Sequence, residues 1–160
     1  MADASERQVV VFQLADEEFG VNISEVKEII RPEQITKIPN SEAYIQGVLN
    51  LRGKIIIIVD LALKLGLTQK KADNDTRIIV LEIGESTVGM IVDSATEVLR
   101  LSSSQVQEAP HMITQKINAE YLEGVGIIGE RLLIMLDLTK VFSDNEMEAV
   151  KGAVSVNKAA

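Results

Sequence analysis

Cysteine and tryptophan are absent from this chain of 160 residues, and there are only three prolines, three phenylalanines, two tyrosines and one histidine. Without cysteine there is no disulfide, no thiolate nucleophile and no Cys-based metal site. The lack fits a reducing compartment. So few rings offer little for base stacking. The formal charge of −8, with basic residues scattered and outnumbered, also argues against nucleic acid, because phosphate binding needs clustered Lys and Arg. An RNA-binding barrel is disfavoured on both counts.

Long apolar runs are missing too. Ile55-Ile-Ile-Ile-Val59 is far short of the roughly 20 residues of a membrane helix, so no membrane insertion is expected. The start, Met1-Ala-Asp-Ala-Ser-Glu6, lacks the basic and apolar regions of a secretion signal. A soluble, cytoplasmic protein is the expectation. No P-loop, dinucleotide glycine pattern or metal-ligand spacing occurs, so neither cofactor nor metal is expected.

What is present is aliphatic. Hydrophobic residues make up 46% of the chain, and Ile, Val and Leu dominate them, which favours strands. Val9-Val-Val-Phe-Gln-Leu14 and Phe19-Gly-Val-Asn-Ile23 flank Ala15-Asp-Glu-Glu18 and read as a hairpin. Adding 69 to each number gives Ile78-Ile-Val-Leu-Glu-Ile83 and Val88-Gly-Met-Ile-Val92. Gly20 falls on Gly89, Glu28 on Glu97 and Arg31 on Arg100.

A second block repeats at an offset of 77. Tyr44-Ile-Gln-Gly-Val48 matches Tyr121-Leu-Glu-Gly-Val125, and Ile57-Ile-Val-Asp-Leu61 matches Ile134-Met-Leu-Asp-Leu138. The second copy therefore carries extra residues between Leu101 and Ile117. Matching Gly, Tyr and Asp in one register identifies a duplicated unit.

Each copy predicts about five short strands and no long amphipathic helix, which indicates an all-β pair of small barrels. The first lobe spans about 9–67, a polar linker 68–76 and the second lobe about 77–142. Neither copy has much core of its own, so the pair should pack tightly. Asn40-Ser41 and Asn118 are expected to cap short helices. Ser143 and Glu146 form a capping-box pattern that predicts a C-terminal helix, with a frayed tail, over 143–160.

Catalytic constellations are scarce. His111 follows Pro110 and reads as an exposed loop residue without an orienting partner. Ile91-Val-Asp-Ser-Ala95 resembles the active-site loop of aspartic proteases, which makes a small-barrel hydrolase using Asp93 the alternative function. Its repeat counterpart is Ser24, so the second aspartate is missing, and a strand end turning on Asp93 is the simpler reading. Asp60 and Asp137 each close an apolar strand and read as helix caps.

The copies differ most at Asn50-Leu-Arg-Gly53, whose counterpart is Ile127-Ile-Gly-Glu130. Arg52 there suits either a partner interface or an internal salt bridge to Glu28 or Glu97.

Phe19-Gly-Val-Asn-Ile23, Val26-Lys-Glu-Ile29, Ile38-Pro39, Ile45-Gln-Gly-Val-Leu-Asn-Leu-Arg-Gly53, Val59-Asp-Leu61, Val88-Gly-Met-Ile-Val-Asp93 and Glu97-Val98 together resemble the CheW chemotaxis coupling proteins. The resemblance spans roughly residues 6 to 146 and implies one CheW-like domain there. It implies two interlocked five-stranded SH3-like barrels and a non-enzymatic adaptor. The implied partners are the regulatory domain of the histidine kinase CheA and the cytoplasmic tips of chemoreceptors at the inner face of the membrane. It places Gly47, Asn50, Arg52 and Gly53 in the signature near those contacts. Val26, Glu28, Ile29, Ile55 and Val98 are expected as further contacts. Two positions depart from the family pattern: Ile57 stands where a proline is common, and Ala62 where an arginine is common.

Overall fold

The structure is a computed structural model that describes residues 6–39, 42–69 and 71–142. The expected caps Asn40 and Ser41 and the C-terminal helix and tail lie outside the described residues.

The first copy forms β1 (Glu6–Leu14), β2 (Glu17–Asn22), β3 (Val26–Ile30), β4 (Ile45–Leu51), β5 (Lys54–Asp60) and the one-turn α1 (Leu61–Lys64). The second forms β6 (Arg77–Ile83), β7 (Ser86–Val92), β8 (Ser94–Ser102), β9 (Val106–Gln107), α2 (His111–Thr114), β10 (Leu122–Ile128) and β11 (Arg131–Leu136). The register repeats with the sequence. Val11 pairs with Gly20 as Val80 pairs with Gly89, and Gly47 opposes Ile58 as Gly124 opposes Met135.

The strands form two sheets, ordered β8-β1-β2-β11-β10-β9 and β3-β6-β7-β5-β4. Each takes its hairpin from one copy and the rest from the other. The β1–β2 hairpin is flanked by β8, antiparallel to β1, and by β11, parallel to β2. The β6–β7 hairpin is flanked in the same way by β3 and β5. This exchange is what interlocks the two SH3-like barrels. It also means that neither copy can complete a sheet alone. The two-residue β9 adds a sixth strand to the first sheet.

Alternation explains the unbroken apolar runs. Val9 and Val11 point into a small cluster with Leu101, Leu133 and Met135, inside the first sheet. The equivalent cluster of the second sheet holds Leu49, Ile56, Ile58, Ile78 and Val80. The intervening residues Val10, Phe12, Ile57, Val59, Ile79, Leu81 and Leu136 join one larger core shared by both sheets. Both faces of these strands are thus buried, so polar alternation is lost.

The small clusters leave no spare volume. A Cβ at Gly20 would sit 2.6 Å from Val9 Cγ1, and one at Gly89 would sit 2.7 Å from Ile78 Cγ2. The repeated glycine is therefore a packing requirement of each barrel.

Tyr44 and Tyr121 tie the copies together. Their carbonyls accept from the Asp60 and Asp137 amides at 2.8 and 2.9 Å. The Lys64 ammonium lies 5.3 and 5.5 Å from the two ring centroids, within cation–π range, and donates to Tyr121 Oη.

Asp60 caps α1, accepting from the Leu63 amide at 3.0 Å and from Gln69 Nε2 at 2.7 Å. Asp137 caps the 3-10 turn Leu138–Lys140, accepting from the Thr139 amide at 3.0 Å. Asp60→Ala is expected to cost about 0.5–2 kcal/mol in urea denaturation. Asp137→Ala should cost less, since Asp60 is the more buried of the two. Equal stability of Asp60→Ala and wild type would show that the cap contributes nothing.

Two local expectations differ from the structure. Asn118 caps a turn rather than a helix: its Oδ1 accepts from Glu120 N at 2.9 Å, and its carbonyl from Tyr121 N. Only three residues separate it from β10, too few for a helix. His111 is exposed as expected, but it opens α2 instead of lying in a loop. Pro110 sits at the N-cap with φ −64°, where its missing N–H costs no helical bond. The extra residues of the second copy are used here, for α2, since β9 repeats the bridge that Thr36 makes with Val48 in the first copy.

Candidate partner-binding surface

The β4–β5 hairpin has two residues in its turn, Arg52 and Gly53, with φ of 52° and 86°. Two consecutive left-handed residues match the right-handed twist of the strands. A non-glycine residue is held there against its own preference. Asn50 helps, because its Oδ1 accepts from Gly53 N at 2.8 Å. The equivalent turn uses Gly129, with φ 59°, followed by Glu130, so the fold has a less strained solution. Strain of this kind collects where a side chain is wanted for another purpose.

The Arg52 side chain reaches Glu28 on β3 through an ion pair between Nη2 and Oε2. In the pairing order β3 and β4 are the two ends of their sheet, so the pair closes the barrel across its seam. The Arg52 hydrogen bond lowers the Glu28 pKa, and Glu28 in turn raises that of the guanidinium. Of the two internal partners expected for Arg52, Glu28 is the one found.

Glu97, the repeat equivalent of Glu28, pairs instead with Arg131 of β11 at 2.5 Å. Arg131 also grips Glu18, at 3.2 Å from Nε and 2.8 Å from Nη2. These bonds hold the Arg131 guanidinium above its ordinary range. Arg131 occupies the repeat position of Lys54, so the second seam is closed without an arginine in the turn. Arg52 is still largely exposed at 68%. It lines a mouth cavity of about 210 Å³ with Lys27, Glu28, Lys54 and Thr87 over a floor of Ile56 and Val80.

The remaining expected residues fall into two groups. Ile29 and Val98 are repeat equivalents, one on each sheet, and are exposed at 40% and 50%. Val26 and Ile55 are half-buried and pack against the shared core. Gly47 is buried with φ 146°, and a Cβ there would lie 2.1 Å from the Thr36 carbonyl oxygen. Gly124 repeats this with φ 144° and 2.4 Å to Gln107 O. Arg52, Gly53, Asn50 and Glu28 are brought together at one barrel mouth, whereas Val98 lies on the other sheet.

A second surface was not anticipated. Met112 and Leu132, exposed at 76% and 45%, join Ile113 and Ile134 in a groove of about 270 Å³ rimmed by Glu17, Glu18 and Lys116. Leu132 is the repeat equivalent of Ile55, and that correspondence is the sequence signal that could have marked it.

Asp93 is engaged in bonds to the backbone. Its Oδ2 accepts from Ala15 N at 2.9 Å, and its own amide donates to Gln13 O, so it braces the β1–β2 turn. That turn needs a brace because Ala15 and Asp16 both have positive φ. Among the described residues no group of three or more His, Cys, Asp or Glu could hold a metal ion, and no helix is long and apolar enough to cross a membrane.

The CheW-like domain model matches residues 8–146. The chain is 40% identical to a chemotaxis protein CheW of Klebsiella aerogenes over 90% of its own length and 86% of that protein. It is 36% identical to a chemotaxis protein CheW of Treponema pallidum, covering 88% and 85%. The crystal structure of the scaffolding protein TtCheW from Thermoanaerobacter tengcongensis matches with a TM-score of 0.79 and 34% identity, covering 88% of this chain and 94% of that one. Duplicated register, exchanged hairpins and these matches agree: the chain belongs to the CheW-like family, whose members are scaffold and adaptor proteins rather than enzymes.

Proposed function

We propose that this chain is a chemotaxis adaptor that couples methyl-accepting chemoreceptors to the histidine kinase CheA within a signalling array. It works in the cytoplasm, held by receptor tips at the inner face of the membrane. It binds the kinase's regulatory domain, which has the same fold, barrel to barrel. Relatives named for chemotaxis support this over most of the chain.

The observation that carries the reading is Arg52. A strained, largely exposed arginine stands in a turn that the other copy builds with glycine. Arg52 and Glu28 supply directional contacts, and Ile29 and Val98 supply exposed apolar contacts, one per barrel. Asn50, Gly47 and Gly53 shape the turn and strand that present them, and Val26 and Ile55 seat the surface on the core. An adaptor needs two partners at once, and a duplicated fold offers two like faces.

Co-sedimentation tests this. The protein should pellet with receptor-containing membranes and bring kinase down with it. The double change Ile29→Ser, Val98→Ser should weaken retention of at least one partner without a change in Tm. Full retention of both partners by that variant would remove the apolar contacts from the account.

A further inference from the structure

The two crossings between the sheets are built differently. The chain leaves β2 for β3 through the 3-10 turn Ile23–Glu25, and leaves β7 for β8 at Asp93-Ser94. Glu25 is the repeat equivalent of Ser94. Its carboxyl faces that of Asp137 and the Leu138 amide at the end of β11, with Glu123 of β10 close by. In the other copy these positions are Asp60 and Gln46. Three carboxylates thus meet at one crossing, whereas the equivalent positions of the other hold only Asp60.

The compensation around them is partial: Asp137 Oδ1 accepts from the Thr139 amide and hydroxyl at 3.0 and 2.5 Å. Lys140 Nζ lies 3.9 Å from Asp137, and Arg7 Nη1 3.5 Å from Glu123. Asn22 Nδ2 reaches Glu123 at 3.4 Å. Glu25 Oε1 and Asn22 Oδ1 are buried with no hydrogen-bond partner. Two carboxylates can hydrogen-bond only when one of them carries a proton.

We propose that the Ile23–Glu25 crossing is a proton-controlled clasp, in which a proton shared by Glu25 and Asp137 holds the start of β3 against the end of β11. Loss of that proton leaves like charges facing one another at the junction and loosens it. The clasp sits directly before β3, whose Glu28 holds Arg52, so it regulates the placement of that surface. Burial first, and then the charges of Asp137 and Glu123, push the Glu25 carboxyl up from its ordinary range to about 7. The folded state therefore binds this proton more tightly than the unfolded chain. Its stabilisation is present below the ordinary carboxyl range and is lost as pH rises through about 7.

Thermal melts of the whole protein between about pH 6 and about pH 8 test this, in a His111→Gln background that removes the single imidazole of the chain. The Tm should fall by several degrees as pH rises, and amide exchange at Val26–Ile30 should quicken. Glu25→Gln, which keeps the shape and a donor, should flatten the profile and be at least as stable at the alkaline end. Asp137→Asn, which keeps the cap acceptor, should also reduce the slope. Parallel profiles for wild type and Glu25→Gln, or a Gln variant less stable at the alkaline end, would overturn the clasp. No partner is present in these measurements, so their outcome is independent of the adaptor reading.

Discussion

Arg52→Glu is expected to leave both barrels folded and to weaken receptor–kinase coupling on the order of tenfold or more. The fold should tolerate it because the Arg52–Glu28 pair is solvent-exposed, and such pairs add little to stability. Two carboxylates would then face each other at the mouth with water able to screen them. Coupling should suffer because a carboxylate cannot donate, and it would meet whatever acceptor the guanidinium now meets. Arg52→Gly separates the two roles further. It relieves the left-handed backbone and should hold or raise the Tm, while still losing coupling. The charge swap Arg52→Glu with Glu28→Arg rebuilds the internal pair without restoring the original guanidinium position. Melting curves beside pull-downs with kinase and receptor fragments decide the matter. A clearly destabilised Arg52→Glu whose coupling returns in the swap would show that the arginine serves the seam alone.

Gly47→Ala should behave in the opposite way, losing stability first and binding only as a consequence. A methyl there would lie 2.1 Å from the Thr36 carbonyl, and φ of 146° is hostile to any side chain. The neighbouring backbone cannot retreat cheaply, because Thr36 and Val48 exchange two hydrogen bonds at 2.9 and 2.8 Å. The expected cost is about 1–3 kcal/mol or more. Gly124→Ala is the control. It repeats the geometry in the copy that lacks the Asn-Leu-Arg-Gly element, and should lose a comparable amount. Urea denaturation measures both. A Gly47→Ala protein that is as stable as wild type yet fails to bind would make Gly47 a contact in its own right.

These two residues also show what the sequence could and could not disclose. The offsets of 69 and 77 made the repeated strands legible, down to the register that sets Gly20 and Gly89 in matching cramped interiors. They could not disclose the exchange of hairpins, because both copies present the same strand pattern whichever partner each hairpin joins. The contrast between Asn50-Leu-Arg-Gly53 and its counterpart marked Arg52, but its partner was ambiguous. Glu28 and Glu97 are repeat equivalents, and only the closure of each barrel assigns one to Arg52 and the other to Arg131. The clasp was hidden for a related reason. Glu25, Glu123 and Asp137 are far apart in the chain, and a lone Glu in a polar turn reads as solvated. Short helices were the weakest expectation, since Asn118 has the same local chemistry whether it caps a helix or a turn.

Kinase output in a reconstituted array tests the central claim most directly. CheA and receptor-containing membranes are combined with and without this protein, and kinase autophosphorylation is followed before and after a receptor ligand is added. The adaptor account predicts that the protein alone transfers no phosphate, that its addition raises autophosphorylation, and that the increase is removed by ligand. Autophosphorylation that stays at the level of kinase alone in assembled membranes, and does not respond to ligand, would contradict it.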